Sequence, residues 1–405
     1  MKEKQIIKDS DYQQQIMNIL FVNTFDVSPH LGGTERITDT LCREFSTTFH
    51  CKCFLAYYND IDSKYIRTSF TEKIHLKNHR QHAPLINFIK KNAIEVIILQ
   101  GQFRLTKSLK KACEGINVKI IFAHHLFPGV EKSSIRFSYI IPHKIQINNI
   151  VPTAIKIGLF PLIKWYQQYK FPHYYNDTYK YADKIVLLSH KLIRPFMDFG
   201  RVTDDKKFAI IHNALSFNDF FPIEELKRKQ KKVLIVSRLV ENPKRILFAI
   251  KAWEQICQNN PSTDWSLTIV GTGSDEYLYK KYCIQKQLNN ISFEGNKNPR
   301  PYYWDASIFL MTSQLESWGL TITEAQQFGV IPVALNSYPS LSEIITNSEN
   351  GIIVEDNNLK AYASAIEELM NDDTLRQKYA INAISSSKRF SSKSISEQWI
   401  RLIQE

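Results

Sequence analysis

Two doubly wound α/β domains with parallel sheets, facing a central cleft, are what this sequence predicts. Three observations carry the prediction. A length of 405 residues is too great for one ordinary core. Short apolar runs alternate with helical patterns along the chain, the signature of strand–helix–strand units. The runs are also apolar at nearly every position, as parallel strands covered on both faces require.

Residues 1–16 are polar and lack the apolar stretch of a secretory signal, so they read as an N-terminal extension, with Met17 as an alternative start. First-half strands are expected at 19–23, 53–57, 96–99, 119–123, 184–188 and 209–212. Second-half strands are expected at 233–236, 266–270, 291–294, 308–311, 331–334 and 352–354. Residues 216–222 mark the boundary, followed by a charged helix running to Lys232. The first domain is then 17–216 and the second 217–389. The serines at 385–387 read as a hinge, after which a helix within 390–405 returns to complete the first domain.

Composition narrows the class. Hydrophobic residues make up 43% and charged residues 23%, values normal for a folded soluble chain. A net charge of +12 fits nucleic acid, an anionic membrane surface or an anionic small substrate. Signatures of DNA- or RNA-binding modules are absent, which argues against nucleic acid. The six cysteines show neither C-x2-C pairs nor zinc spacing and read as buried thiols of a reducing cytoplasm. No apolar run reaches the ~20 residues of a spanning helix.

One segment departs from the pattern. Residues 132–176 hold Lys132, Arg136, Lys144, Lys156, Lys164 and Lys170 and no Asp or Glu. Phe137, Tyr139, Trp165, Tyr166 and Phe171 are interleaved with these cations. A basic, aromatic stretch reads as a contact for an anionic membrane surface. The alternative is an ordinary helix pair with its apolar side in the core.

The most informative stretch is Glu316-Ser317-Trp318-Gly319-Leu320-Thr321-Ile322-Thr323-Glu324. A buried strand precedes it, Gly319 permits a sharp turn, and 320–328 reads as a helix. The free N–H groups at that helix start form an anion site. Glu316 stands just before the site, and Glu324 about one and a half turns into the helix. A sugar nucleotide needs such a set: a diphosphate cradle between acceptors for sugar and ribose hydroxyls. By spacing alone, two solvated helix-surface carboxylates are the better reading, and it is the preceding strand, the Trp318-Gly319 step and the neighbouring motifs that reverse it.

Neighbouring motifs strengthen the case. Arg238 and Lys244 follow the first strand of the second half, and two cations there suit a diphosphate. Gly271-Thr272-Gly273 reads as a tight turn beside them. Gly32-Gly33 opens a helix after the first strand, so backbone could approach a phosphate. It lacks the G-x-G-x-x-G pattern of dinucleotide sites. His124-His125 ends a first-half strand at the cleft, and His125 is the preferred candidate of the two. Asp60-Ile61-Asp62 could be a metal-binding D-x-D, but a polar loop is the simpler account.

Together these residues resemble the family-4 retaining glycosyltransferases of the GT-B fold, of the capsular, O-antigen and exopolysaccharide type. The resemblance covers about 17–400. It rests on Gly32-Gly33-Thr34-Glu35, His124-His125, Tyr181-Ala182-Asp183-Lys184 through Ser189, and Ile211-His212-Asn213-Ala214. In the second half it rests on Ser237-Arg238-Leu239 with Lys244, Val270-Gly271-Thr272-Gly273, Phe293-Glu294-Gly295, Glu316 through Glu324, Gly329 through Val333, and Glu343. Trp318 stands where Phe is usual, Arg245 where Gly is common, and Ala214 where Gly is usual.

The resemblance implies two Rossmann-like domains, the second holding an NDP-sugar, with UDP or GDP as base carrier. It implies that Arg238, Lys244 and the N–H groups of Gly319, Leu320 and Thr321 hold the diphosphate. Gly271 and Trp318 belong to the same donor site. Glu316 contacts the donor sugar and Glu324 the ribose. Gly33 lets its loop close over the phosphates, and His125 sits by the transferred sugar. The implied catalytic set is Glu316, His125, Arg238 and Lys244. The implied chemistry is retaining transfer to a saccharide hydroxyl, the acceptor lipid-linked, without metal or other cofactor, at the inner face of the plasma membrane. A sugar-nucleotide 2-epimerase of the same fold and a non-enzymatic basic binding protein are the alternatives.

Overall fold

A computed structural model describes residues 17–28, 32–61, 69–78, 82–133 and 157–405. The first sheet contains β1 (Asn18–Phe25), β2 (Lys52–Asn59), β3 (Glu72–His75), β4 (Val96–Gln100), β5 (Lys119–Ala123), β6 (Lys184–Leu187) and β7 (Phe208–Ile210). Its order is β3-β2-β1-β4-β5-β6-β7, every neighbour parallel. The second contains β8 (Lys232–Val236), β9 (Ser266–Val270), β10 (Ile291–Gly295), β11 (Ile308–Met311), β12 (Ile331–Leu335) and β13 (Ile352–Val354). Its order is β10-β9-β8-β11-β12-β13, again parallel throughout. Both halves are therefore Rossmann-like, as the all-apolar runs predict. β4 and β11 are buried along their whole length.

Each sheet reverses direction beside its first strand. β1 lies between β2 and β4, and β8 lies between β9 and β11. Ligands of doubly wound sheets bind beyond the strand ends at such switch points. The loops leaving β1, β8 and β11 carry Gly33, Arg238 with Lys244, and Glu316.

Three local expectations differ from the structure. β3 is absent from the sequence reading because Glu72-Lys73-Ile74-His75 offers one apolar residue, enough for an edge strand paired on one side. The charged stretch before Lys232 is a short 3-10 helix, Ile223–Arg228, closed by Lys229 N donating to Leu226 O. The serines at 385–387 are no hinge; they end the helix Asp373–Ser387, where Ser386 and Ser387 donate to carbonyls one turn back.

After β7 the chain leaves the first sheet through the buried Ala214 and Leu215 on its way to β8 of the second. It returns at Phe390, whose carbonyl accepts from Leu215 N at 2.8 Å. The last helix, Ser392–Gln404, then lies on the helix Gly33–Thr47 of the first domain. Its Ile395, Trp399 and Ile403 are buried there, and Ser392 Oγ donates to Glu44 Oε1 at 2.7 Å. All six cysteines are free thiols, and burial pushes Cys51 and Cys283 up to about 11. No helix of the described residues is long and apolar enough to cross a membrane.

Candidate active site

The largest cavity at the cleft has a volume of about 690 Å³ and is walled by both domains. Gly33 lines it from the first domain. Arg238, Lys244, Gly271, Glu316, Gly319, Leu320 and Thr321 line it from the second. Residues scattered over most of the chain thus meet in one place.

Local geometry explains why. Gly319 has φ +100, a region that L side chains rarely adopt, and it turns the chain from the β11 loop into the helix Leu320–Gln327. A Cβ there would meet Tyr338 Oη at 2.8 Å. Ile322 N and Thr323 N bond back to Gly319 O, so the helix start, with Leu320 and Thr321, opens on the cavity. Lys244 Nζ pairs with Glu316 Oε1, and both side chains are mostly buried. The Lys244 loop is pinned beneath by Thr312 Oγ1, which donates to Lys244 O at 3.0 Å.

Arg245 has a positive φ of 52, which is why glycine suits this position. Its guanidinium turns away from the cavity, bonding Thr312 O at 2.7 Å and pairing with Asp356 at 2.8 Å. Arg245 does not line the cavity.

Two donor-site candidates lie off the cavity wall. Trp318 is buried, stacked on His212 with ring centroids 4.4 Å apart and edge-on to Phe390. Its place is the packing between the domain crossings. Glu324 is 0% exposed. Its Oε1 accepts from Arg36 Nη1 at 2.7 Å and from Ser216 Oγ at 2.5 Å, and its Oε2 from Tyr303 Oη at 3.0 Å.

A second cavity of about 420 Å³ lies in the first domain and shares Thr34 and Glu35 with the first. Gln100, Arg104, His125, Phe171 and Tyr174 line it. The two histidines differ. His124 is packed among Phe103, Phe122, Tyr175 and Phe196, with Nε2 3.1 Å from Tyr175 Oη. Both rings border the cavity, but His125 is the more exposed, and it donates from Nε2 to Gln100 Oε1. Burial lowers His124 to about 3 and His125 to about 4, so both rings are neutral at physiological pH.

Arg36, Asn296 and Lys297 also line the larger cavity, and the sequence reading gave them no role. Asn296 and Lys297 follow β10 and could have been found by the strand-end rule. Asp62, the second carboxylate of the D-x-D candidate, lies outside the described residues. Among the described residues no three His, Cys, Asp or Glu side chains converge as a metal site.

The basic, aromatic segment is described from 157 onward. Leu162, Trp165, Tyr166 and Tyr169 on the helix Phe160–Tyr181 are 62, 65, 49 and 59% exposed. Their spacing puts them on one helical face. Lys170 sits 4.3 Å over the Tyr166 ring. Arg136, Lys144 and Lys156 lie outside the described residues.

Comparison with known proteins agrees with this architecture. The family model described as "Glycosyl transferases group 1" matches residues 216–386, the second domain. An uncharacterized glycosyltransferase of Haemophilus influenzae is 26% identical over 184 residues, 45% of this chain and 52% of that protein. The match thus spans about half of that relative's length. A Campylobacter jejuni protein named GalNAc-alpha-(1->4)-GalNAc-alpha-(1->3)-diNAcBac-PP-undecaprenol alpha-1,4-N-acetyl-D-galactosaminyltransferase is 25% identical over 328 residues, covering 78% of this chain and 86% of its own. The crystal structure of Anabaena HepE in complex with UDP superposes with a TM-score of 0.71 at 18% identity, covering 96% of this chain and 100% of HepE. The chain has the GT-B fold.

Proposed function

We propose that this protein is a glycosyltransferase of bacterial cell-surface polysaccharide biosynthesis, retaining and independent of metal. It moves a sugar from a UDP- or GDP-sugar to a hydroxyl of a lipid-linked saccharide. The observation that carries this reading is the cleft cavity, where Arg238, Lys244 and a free helix start from one domain face the Gly33 loop of the other. The second-domain family match and the Campylobacter relative support the same class.

In this reading the diphosphate lies against Arg238, Lys244 and the N–H groups of Leu320 and Thr321. Negative charge grows on its oxygens as the bond to the sugar breaks. Cations and dipoles already in place stabilise that charge without reorganising. They would do the work a metal ion does elsewhere. Glu316 holds Lys244 until the donor arrives, then accepts from sugar hydroxyls. The acceptor enters the first-domain cavity, where His125 and Glu35 border the point of transfer. Its hydroxyl proton passes to the leaving diphosphate, so the new bond forms on the face the leaving group vacates. Closure of the cleft excludes water and limits donor hydrolysis.

The exposed stripe Leu162, Trp165, Tyr166 and Tyr169 supports peripheral docking on an anionic bilayer at its cytoplasmic face, beside the acceptor cavity that Phe171 and Tyr174 of the same helix help to line. The testing experiment is a donor screen in EDTA, with UDP- and GDP-sugars, with and without membrane lipid extract. Release of nucleotide from one donor, undiminished by EDTA, is the expected result. Release from none, with extract present, would overturn the proposal. Release of a free epimerised sugar would favour the 2-epimerase reading.

A further inference from the structure

Glu324 is held by three donors of different origin. Tyr303 reaches it from within the second domain, Ser216 from the crossing chain, and Arg36 from the first domain. Tyr303 and Ser216 are not on the cavity wall; Arg36 is. Of the three donors on Glu324, Arg36 is therefore the one that a hydroxyl arriving from the cavity meets. The Arg36 side chain is 27% exposed, and its Nε is buried without a partner. It stands one helical turn from Gly33 and lines the same cavity as Arg238, Leu320 and Thr321.

We propose that Arg36 is a positioning residue that exchanges partners when a nucleoside diphosphate binds. In the empty cavity it pairs with Glu324. When the nucleotide enters, the ribose hydroxyls take Oε1, and the freed guanidinium transfers to the diphosphate. This inference rests on the nucleotide-donor reading above and deepens it. The energetic logic is that breaking a buried pair is costly unless each charge finds a new partner. A diphosphate with a ribose supplies both partners. A nucleoside supplies only one, and leaves Arg36 without an anion.

Arg36 thus favours nucleotides over nucleosides beyond what Arg238 and Lys244 provide. The test compares wild type, Arg36→Ala and Arg36→Lys for binding of UDP against uridine and GDP against guanosine, by ligand-observed NMR and calorimetry. Melting curves check that each variant is folded. For the base that wild type binds, Arg36→Ala should weaken the diphosphate about tenfold, the worth of one charge-assisted bond, and tighten the nucleoside several-fold. Arg36→Lys should recover part of the diphosphate affinity. A merely structural role would weaken both ligands together, and that result overturns the inference, as do unchanged affinities. If wild type binds neither nucleotide, the donor-site reading itself falls, and the inference with it.

Discussion

Replacing Gly271 by Ala is expected to damage nucleotide binding through the loop that carries Arg238. Gly271 has φ +138, and a Cβ there would lie 1.8 Å from Ser237 O. Carbon–oxygen contacts settle at roughly 3.3 Å, so the Ser237 carbonyl must retreat by about 1.5 Å. That carbonyl belongs to the peptide joining Ser237 to Arg238. The loop cannot slide freely, because Ser237 N is bonded to Val270 O at 3.0 Å and Leu239 N to Thr272 O at 2.9 Å. Losing a hydrogen bond to a charged group costs about 1.5–3 kcal/mol, on the order of 10- to 10²-fold in affinity. The expected result is therefore UDP binding weaker by about 10- to 10²-fold in calorimetry. Backbone strain alone costs about 1–2 kcal/mol of stability. Gly115→Ala separates the two effects, since Gly115 has φ +81 but nothing within 4 Å of its added Cβ. That variant should melt lower and still bind. Unchanged UDP affinity in Gly271→Ala would refute the assignment of the Arg238 loop to the diphosphate.

Further outcomes are expected. Glu316→Gln and Lys244→Ala should each lower transfer by ~10²–10³-fold with normal circular dichroism; wild-type rates in both would remove the pair from the site. Trp165→Ser combined with Leu162→Ser should abolish sedimentation with anionic vesicles while leaving UDP affinity intact, and high salt should weaken wild-type binding to the same vesicles. His124 and His125 titrate below their ordinary value in the fold, so the unfolded chain binds more protons as pH falls below about 6.5. Their contribution is complete above that pH and is lost towards pH 4 and then 3. Melting temperature should therefore fall on acidification, less steeply in His125→Asn than in wild type; equal slopes would show that His125 is not held neutral by the fold.

What the sequence could reveal depended on how local the cause was. The central strands were legible because burial on both faces favours apolar residues at nearly every position, as in the run Val96-Ile97-Ile98-Leu99. Gly319 was legible because a positive-φ turn before a helix asks for one residue type. β3 was not, since an edge strand needs little apolar surface. The roles of Trp318 and Glu324 depend on which side of the turn faces the cleft, and a linear motif carries no such direction. The Arg36–Glu324 pair joins residues 288 positions apart in different domains, beyond any local pattern. Ser385 to Ser387 misled because serines that bond their own helix carbonyls look the same in sequence as serines of a linker.

The two chain crossings near Leu215 and Phe390 lie side by side, tied by one backbone hydrogen bond. A single tether would let the halves twist and tumble about a point. Two adjacent tethers behave as the pins of a door, leaving one easy rotation about the line between them. Any rotation between the halves is then confined to a fixed arc, which brings the Gly33 loop back to the same helix start each time. The final helix belongs to one leaf of that door while its connection passes through the other. Trimming the last residues would therefore both uncover the first domain's core and remove a pin, and the remaining motion would lose its direction.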